Sequence, residues 1–168
     1  RHFAICEYFG IEMITVPMLS TGPDMDEVER LVAADESIKG IWCVPKYSNP
    51  TGVTFSDETV RRFANLKPKA KDFKIFWDNA YCVHELTDTP EVLLNLYTEC
   101  EKNGTTDLLV TFCSTSKITF PGSGVAAMAA SDNTLKSFRR HLSFQTIGPD
   151  KINQLRHIRY FKRVEGLK

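Results

Sequence analysis

Apolar, strand-like segments alternate with helix-like segments along this chain, and this alternation restricts the possible fold more than any other feature. Apolar and β-branched residues predict strands, which fall at 11–18, 38–44, 74–80, 107–113 and 124–131. Capping residues or helical spacing predict helices, which fall at 2–9, 24–32, 56–69, 90–102, 133–142 and 149–165. Strands that alternate with helices predict an α/β fold, with a mostly parallel sheet and helices on both faces.

Local signals support several of these boundaries. Asp24 can cap a helix in which Glu27 is the third residue, and Ser56 can cap the next helix. Gly104 is a typical helix stop. Trp42 and Trp77 lie inside predicted strands and are expected in the core.

Three polar clusters follow predicted strands. SNPTG (48–52) follows the strand at 38–44, DNAY (78–81) ends the next strand, and STSK (114–117) follows the strand after that. In open parallel sheets, ligands bind at the carboxyl ends of the strands. The three clusters are therefore expected to meet in one ligand site.

These clusters are similar to the motifs of a known enzyme family. NPTG (49–52) resembles the N-P-x-G loop, DNAY (78–81) the D-x-x-Y motif and STSK (114–117) the S-x-S-K motif of fold-type I pyridoxal 5′-phosphate (PLP) aminotransferases, in the same order. Members of that family are more than twice as long as this chain. The resemblance therefore implies that residues 1–168 are part of an incomplete PLP-binding large domain. Residues 149–168 would begin the helix that leads to a small domain.

The resemblance assigns the central chemistry to two residues. Lys117 would bind PLP as a Schiff base, and the freed amine would then act as the general base. Asp78 would keep the pyridine nitrogen protonated, because an opposite charge favours the charged form. The alternatives are a solvated surface lysine and an aspartate that caps the next turn.

The remaining cofactor contacts also come from the resemblance. Asn49 and Tyr81 would donate hydrogen bonds to the phenolic oxygen of the ring, and Ser114 and Ser116 would bind the phosphate. The alternatives are an ordinary Asx turn for Asn49 and a packed aromatic ring for Tyr81.

One position departs from the family pattern. The family often continues with P-G-x-R after the lysine, and its arginine binds the phosphate, but here Gly124 stands at that place. Either Ser123 and other donors are then expected to hold the phosphate, or a remote basic residue is. The segments at 114–126 and 147–161 resemble a branch often labelled MocR-like or GntR-family, some members of which are aspartate aminotransferases. That likeness implies L-aspartate and 2-oxoglutarate as substrates.

Other functions remain open from the sequence. The same motifs serve PLP lyases and decarboxylases, and a PLP-binding domain can belong to a transcriptional regulator. A plain α/β domain with chance matches is a further alternative. If the resemblance holds, the family's pattern implies a homodimer and predicts that this segment alone is inactive.

The amino-acid composition limits the partners and the cellular environment that are expected for this chain. Lys plus Arg and Asp plus Glu both total 21, which argues against a general nucleic-acid binder. The five cysteines are odd in number and lack C-x-x-C spacing, which predicts a reducing, cytoplasmic setting without a disulfide framework or a metal site. No apolar run approaches the roughly 20 residues that cross a membrane. The histidines show no metal-binding spacing, and they and two arginine clusters are expected to have surface or packing roles: His2, His84, His141, His157, Arg139, Arg140, Arg156 and Arg159.

Overall fold

A computed structural model describes residues 2–163 of the chain. Its helices are α1 (His2–Tyr8), α2 (Met25–Ala34), α3 (Asp57–Ala64), α4 (Leu96–Asn103), α5 (Asp132–Gln145) and α6 (Lys151–Phe161). Its strands are β1 (Met18–Leu19), β2 (Gly22–Pro23), β3 (Gly40–Cys43), β4 (Lys74–Asp78), β5 (Leu109–Ser114) and β6 (Ala126–Ala130). In the part of the chain that is described, no helix is both long and apolar enough to span a membrane.

The main sheet has the order β3-β4-β5-β6. The pairs β3–β4 and β4–β5 are parallel, whereas β5–β6 is antiparallel. This confirms the predicted mostly parallel sheet. The carboxyl ends of β3, β4 and β5 lie at one edge, so the three polar clusters that follow these strands are neighbours in space.

The core lies on one face of this sheet. Trp77 of β4 is 3% exposed, and its ring lies edge-on to Phe63 of α3 with the ring centroids 5.5 Å apart. Phe55 stacks on Phe63, and Val28 of α2 and Cys100 of α4 are also buried. Full burial of a side chain the size of Val or Phe stabilises a fold by roughly 1.5–3 kcal/mol. This face therefore supplies much of the stability of the domain.

The opposite face carries a row of stacked aromatic rings. Trp42 stacks on Phe76 and on Phe112, with centroid distances of 5.6 and 5.7 Å. The His2 ring of α1 stacks on Trp42 at 4.8 Å, yet Trp42 remains 41% exposed. The prediction of a core tryptophan is thus confirmed for Trp77 and wrong for Trp42, because α3 packs against the other face.

The predicted caps are present. Asp24 accepts hydrogen bonds from the backbone N–H groups of Asp26 and Glu27 at 3.1 and 3.3 Å. Ser56 accepts one from the N–H of Thr59 at 3.2 Å. Gly104 ends α4 with φ of 67°, a left-handed conformation that favours glycine.

The strand predicted at 11–18 is wrong for most of its length. Met18 alone lies in a strand, the short β1, which pairs with β2. Ile11, Met13 and Ile14 are about half exposed. β-branched residues favour a strand only where a neighbour supplies packing and hydrogen bonds, and among residues 2–163 no strand pairs with 11–17.

Several helix boundaries also differ from prediction. The helix predicted at 56–69 ends at Ala64, and Pro68 disfavours helical geometry at the residue before it. The helix predicted at 90–102 begins at Leu96, where the Asn95 side chain accepts from the N–H of Thr98 at 3.2 Å. The prediction of 133–142 is extended in α5, and that of 149–165 is shortened in α6. Positions 164 and 165 of the last prediction lie outside the described residues.

Candidate functional site

The loop after β3 carries the first predicted site residue. The backbone N–H of Ser48 donates to Val53 O at 2.9 Å and closes the loop, in which Gly52 has φ of 74°. Asn49 lies exposed in this loop. Its Nδ2 donates to the hydroxyl of Tyr81 at 3.4 Å, so the first and second polar clusters are in contact.

A partly buried ion pair fixes this loop to the segment after β4. Lys46 Nζ lies 2.7 Å from Glu85 Oε1, and the two side chains are 10% and 35% exposed. The Tyr47 hydroxyl donates to Glu85 Oε2 at 2.6 Å. The Lys46 ammonium and this hydroxyl lower the pKa of Glu85, and the hydrogen bond to Glu85 raises the pKa of Tyr47 to about 12. Glu85 thus joins the loop after β3 to the loop after β4.

Asp78 is the last residue of β4 and is half-buried. Burial raises the pKa of its carboxyl group, and the positive charges of Lys117 and His2 oppose that shift. Among residues 2–163 no basic group lies within salt-bridge distance of this carboxylate. A desolvated carboxylate of this kind suits a cationic ligand atom.

Lys117 lies exposed above the Tyr81 ring. Its Nζ is 4.9 Å from the ring centroid, which is within the range of a cation–π contact. The same amine is near enough to Asp78 to influence its pKa. Lys117 is therefore beside both residues of the DNAY motif that the sequence singles out.

The turn that carries Lys117 is stabilised by its own backbone. Thr115 O accepts from the N–H groups of Ile118 at 3.1 Å and Thr119 at 2.9 Å. Thr115 N–H donates to Val125 O at 2.9 Å, and this bond closes the segment 115–125 into a loop. Lys117 lies at the apex of the turn.

Ser114 precedes this turn at the end of β5, and Ser116 lies within the turn. Ser114 ends β5 opposite Ala126, and the register of β4 with β5 places it on the same face of the sheet as Asp78. Among the described residues, neither serine hydroxyl has a hydrogen-bond partner. Both hydroxyls are therefore available to an external acceptor.

Gly124 packs directly against Ser116. A Cβ atom at position 124 would lie 2.2 Å from Ser116 Oγ and 2.9 Å from Ser116 Cα. A side chain there requires the backbone to move, so the arginine of the usual family pattern does not fit at this position. The departure from the family pattern at Gly124 thus has a steric cause, because the backbone at Gly124 lies too close to Ser116 for a side chain.

The predicted site residues form two groups. Asn49, Tyr81 and Lys117 are linked by direct contacts, and Asp78 lies beside Lys117. Ser114 and Ser116 lie on the adjoining strand end and turn. Available hydroxyls for a phosphate, a desolvated carboxylate for a cationic ring nitrogen and an exposed primary amine for an aldehyde together fit the chemistry of PLP.

Two residues that hold the loops of the site in place, Glu85 and His157, belong to no motif in the sequence. Glu85 lies in an irregular segment, and its partner Lys46 is 39 positions away. His157, for which a surface or packing role is expected, is 4% exposed and hydrogen-bonded to the Lys117 turn. Helical spacing could have placed His157 and Asn153 on one face of α6, but it could not have identified what that face contacts.

Known proteins resemble this chain in both sequence and structure. The sequence model of the family described as aspartate amino-transferase matches residues 1–168. A relative from Mycolicibacterium smegmatis is 48% identical, and an aspartate aminotransferase from Corynebacterium glutamicum is 45% identical, each over 100% of this chain and 39% of the relative. The crystal structure of an aspartate transaminase from C. glutamicum aligns with a TM-score of 0.90 and 45% identity, covering 96% of this chain and 38% of that chain. This alignment confirms the α/β fold, and the chain spans well under half of the relatives that it matches.

Proposed function

The chain belongs to the aspartate amino-transferase family, and from this membership we propose that it forms part of a PLP-dependent aminotransferase. The observation that carries the proposal is the convergence of Lys117, Tyr81, Asn49 and Asp78 at the carboxyl edge of the sheet. These residues come from three separate segments of the chain.

Each residue of the site has a role that its surroundings support. Lys117, as the exposed amine at the apex of its turn, holds the cofactor and later takes the proton from the α-carbon of the amino acid. Asp78 pairs with the ring nitrogen, which offsets the burial of its carboxyl group. Asn49 and Tyr81 orient the ring through its phenolic oxygen. Bound PLP supplies the electron sink for loss of that α-proton.

The phosphate is assigned to the serines. Ser114 and Ser116 offer hydroxyls without a described protein partner, and the backbone at Gly124 packs directly against Ser116. An arginine at position 124 is sterically incompatible with this backbone. The hydroxyls therefore take over part of the phosphate binding that the family pattern gives to that arginine.

L-Aspartate and 2-oxoglutarate are the proposed substrates. Support comes from the 45% identity to a protein named as an aspartate aminotransferase. Membership of the MocR-like branch, a homodimer and a cytoplasmic location are part of the same proposal. Because these residues correspond to 39% of that relative, the chain by itself is expected to be inactive.

The test of the cofactor assignment is chemical labelling of the intact protein that contains these residues. Purified protein should show a near-ultraviolet to violet absorbance band, and borohydride should fix the cofactor covalently on the peptide that contains Lys117. Lys117→Ala should remove the label and reduce turnover by at least about 10⁴-fold, a loss comparable to removal of other essential catalytic groups. Lys136→Ala, which changes an exposed lysine of α5, is the matched control and should keep both.

Product analysis tests the reaction itself. Aspartate and 2-oxoglutarate should yield oxaloacetate and glutamate with ping-pong kinetics. Release of carbon dioxide or of an elimination product in their place would contradict transamination. Labelling on a lysine other than Lys117 would contradict the site assignment.

A further inference from the structure

Helix α6 contacts the Lys117 turn through a buried histidine. His157 is 4% exposed, and its Nε2 lies 2.8 Å from Thr115 Oγ1 and 2.8 Å from Thr119 Oγ1. Thr115 and Thr119 stand two positions before and two positions after Lys117. One imidazole nitrogen therefore contacts both sides of the turn.

The hydrogen-bond partners identify one protonated nitrogen of this ring. Nδ1 lies 2.9 Å from Asn153 O, a carbonyl oxygen that can only accept, so Nδ1 carries the proton. Thr115 Oγ1 accepts from the N–H of Val125 at 2.8 Å, and its own proton has Nε2 as its acceptor among the described residues. Thr119 Oγ1 donates to Thr115 O at 2.9 Å. The imidazole thus carries a proton at Nδ1, and its Nε2 faces both threonine hydroxyls.

Further contacts connect α6 to the same loop. Asn153 Nδ2 donates to Ser123 O at 2.7 Å. The Phe120 ring lies edge-on to His157 at 5.6 Å and packs against Tyr160 at 5.4 Å. Thr115, Thr119, Phe120 and Ser123 are thus all contacted by one face of α6, so the loop is attached along its length.

Lys117 itself has no comparable attachment. Its side chain is exposed, and its described contact is with the face of the Tyr81 ring. The position of its amine therefore depends on the backbone of the turn. That backbone is fixed by the Thr115 hydroxyl, which binds Val125 on one side and His157 on the other.

We propose that His157 is a positioning residue for Lys117, and that α6 sets the geometry of the lysine turn through the imidazole of His157. The proposal rests on the proposed function of Lys117. His157 does not touch the reacting atoms. It acts by restricting the turn, and small displacements of a catalytic group reduce rates steeply.

Three variants of the intact, cofactor-loaded protein separate the possibilities. His157→Phe keeps a ring beside Phe120 and removes both nitrogen contacts. His157→Gln restores an oxygen that can accept the Thr115 hydroxyl proton near the place of Nε2. Tyr160→Phe is the matched control, since it lies on the same helix and keeps its ring against Phe120.

Two measurements are made on each variant. Amide hydrogen exchange reports the loop directly and does not depend on activity. In His157→Phe, exchange of the 115–125 amides should accelerate by about 10-fold, while exchange in β4 stays unchanged. Steady-state kinetics should show kcat reduced by about 10- to 100-fold with KM little changed. His157→Gln should recover most of both effects, and Tyr160→Phe should match wild type.

The opposite results would overturn the proposal. Normal exchange at 115–125 in His157→Phe would mean that the imidazole does not hold the turn. Faster exchange with unchanged kcat would mean that the contact is structural and does not position Lys117. Failure of His157→Gln to improve on His157→Phe would remove the acceptor role of Nε2. Should His157→Phe not fold, Thr119→Val removes the other contact to Nε2 and leaves the bond from Val125 N–H to Thr115 Oγ1 in place, and it is judged by the same two measurements.

Failure of the proposed function has a separate signature. In that case wild-type protein carries no borohydride-reducible cofactor on Lys117, although the exchange data still report whether His157 holds the turn. A labelled wild type with an unaffected His157→Phe would instead overturn only the positioning role.

Discussion

The two loops that frame the candidate site are held by different interactions. The loop after β3 is fixed by an ion pair between Lys46 and Glu85, with Tyr47 donating to the same carboxylate. The loop that carries Lys117 is fixed by uncharged groups, in which Thr115 joins the backbone to His157. The first is an electrostatic tether, and the second depends on close packing and on the direction of individual hydrogen bonds.

This difference determines how each loop can be disturbed. An ion pair weakens when one charge is removed, by mutation or by protonation, and it responds to salt. A neutral network responds to shape and to loss of a single donor or acceptor. A substitution at the contacts of one loop should therefore change that loop and leave the other loop unchanged.

Among substitutions that disturb the two loops, the largest loss of unfolding free energy is expected at Gly124. In Gly124→Ala the new Cβ would meet Ser116 at distances that backbone atoms do not tolerate, so the lysine loop must shift. Overpacking of this kind costs about 1–3 kcal/mol of unfolding free energy. Displacement of Ser116 should also weaken cofactor binding by roughly 10-fold or more. Denaturant unfolding and cofactor titration of the intact protein measure the two effects.

Gly148→Ala provides the control for that substitution. A Cβ at position 148 meets no atom within 4 Å. Its unfolding midpoint and cofactor affinity should equal those of wild type. Equal behaviour of the two variants would show that the lysine loop is not limited by packing at Gly124.

The next largest effect is expected at Glu85. Glu85→Gln leaves the Lys46 ammonium, which is 10% exposed, without its counter-charge. The unfolding temperature at neutral pH should fall by more than in Asp72→Asn, which breaks the exposed pair between Lys39 and Asp72 at 2.9 Å. A larger loss in Asp72→Asn would remove the distinction between a partly buried and an exposed pair.

The same pair predicts a dependence on pH. The pKa of Glu85 is lowered in the folded state by Lys46 and Tyr47. The stabilisation from this carboxylate is therefore complete above the ordinary pKa of a glutamate and is lost as pH falls through the lowered value. Thermal unfolding of wild type and Glu85→Gln should differ at neutral pH and converge in acid. A difference that persists unchanged in acid would exclude the charge as its source.

Local signals in the sequence predicted much of the framework. Asp24 and Ser56 cap helices where expected, and Trp77 lies in the core, because caps and alternating apolar residues act over a few positions. The site motifs also fall where expected, since parallel strands bring their carboxyl ends to one edge. These features depend on neighbours in sequence or on a single rule of topology.

The side-chain contacts that hold the two loops in place could not be predicted in the same way. The partner of His157 in the lysine turn is 42 positions away, and neither residue belongs to a pattern that indicates the other. The apolar residues Ile152, Leu155 and Ile158 of α6 are exposed, whereas Asn153 and His157 face the loop. Helical spacing identifies which residues share a face, but the docking of the helix decides which face is buried.

The smallest expected effect is the response to salt. Raising ionic strength from about 0.1 to 1 M shortens the screening length from roughly 10 to 3 Å. The Lys46–Glu85 pair is at 2.7 Å and only partly exposed, so screening should weaken it little. Exchange of the Ser48 amide, which closes the loop after β3, should accelerate by less than about twofold. Exchange of Val125, whose amide donates to the neutral Thr115 hydroxyl, should not change. Equal acceleration at both amides would mean that the two loops loosen together, and a common opening motion would then replace two separate tethers as the account of how the site is held.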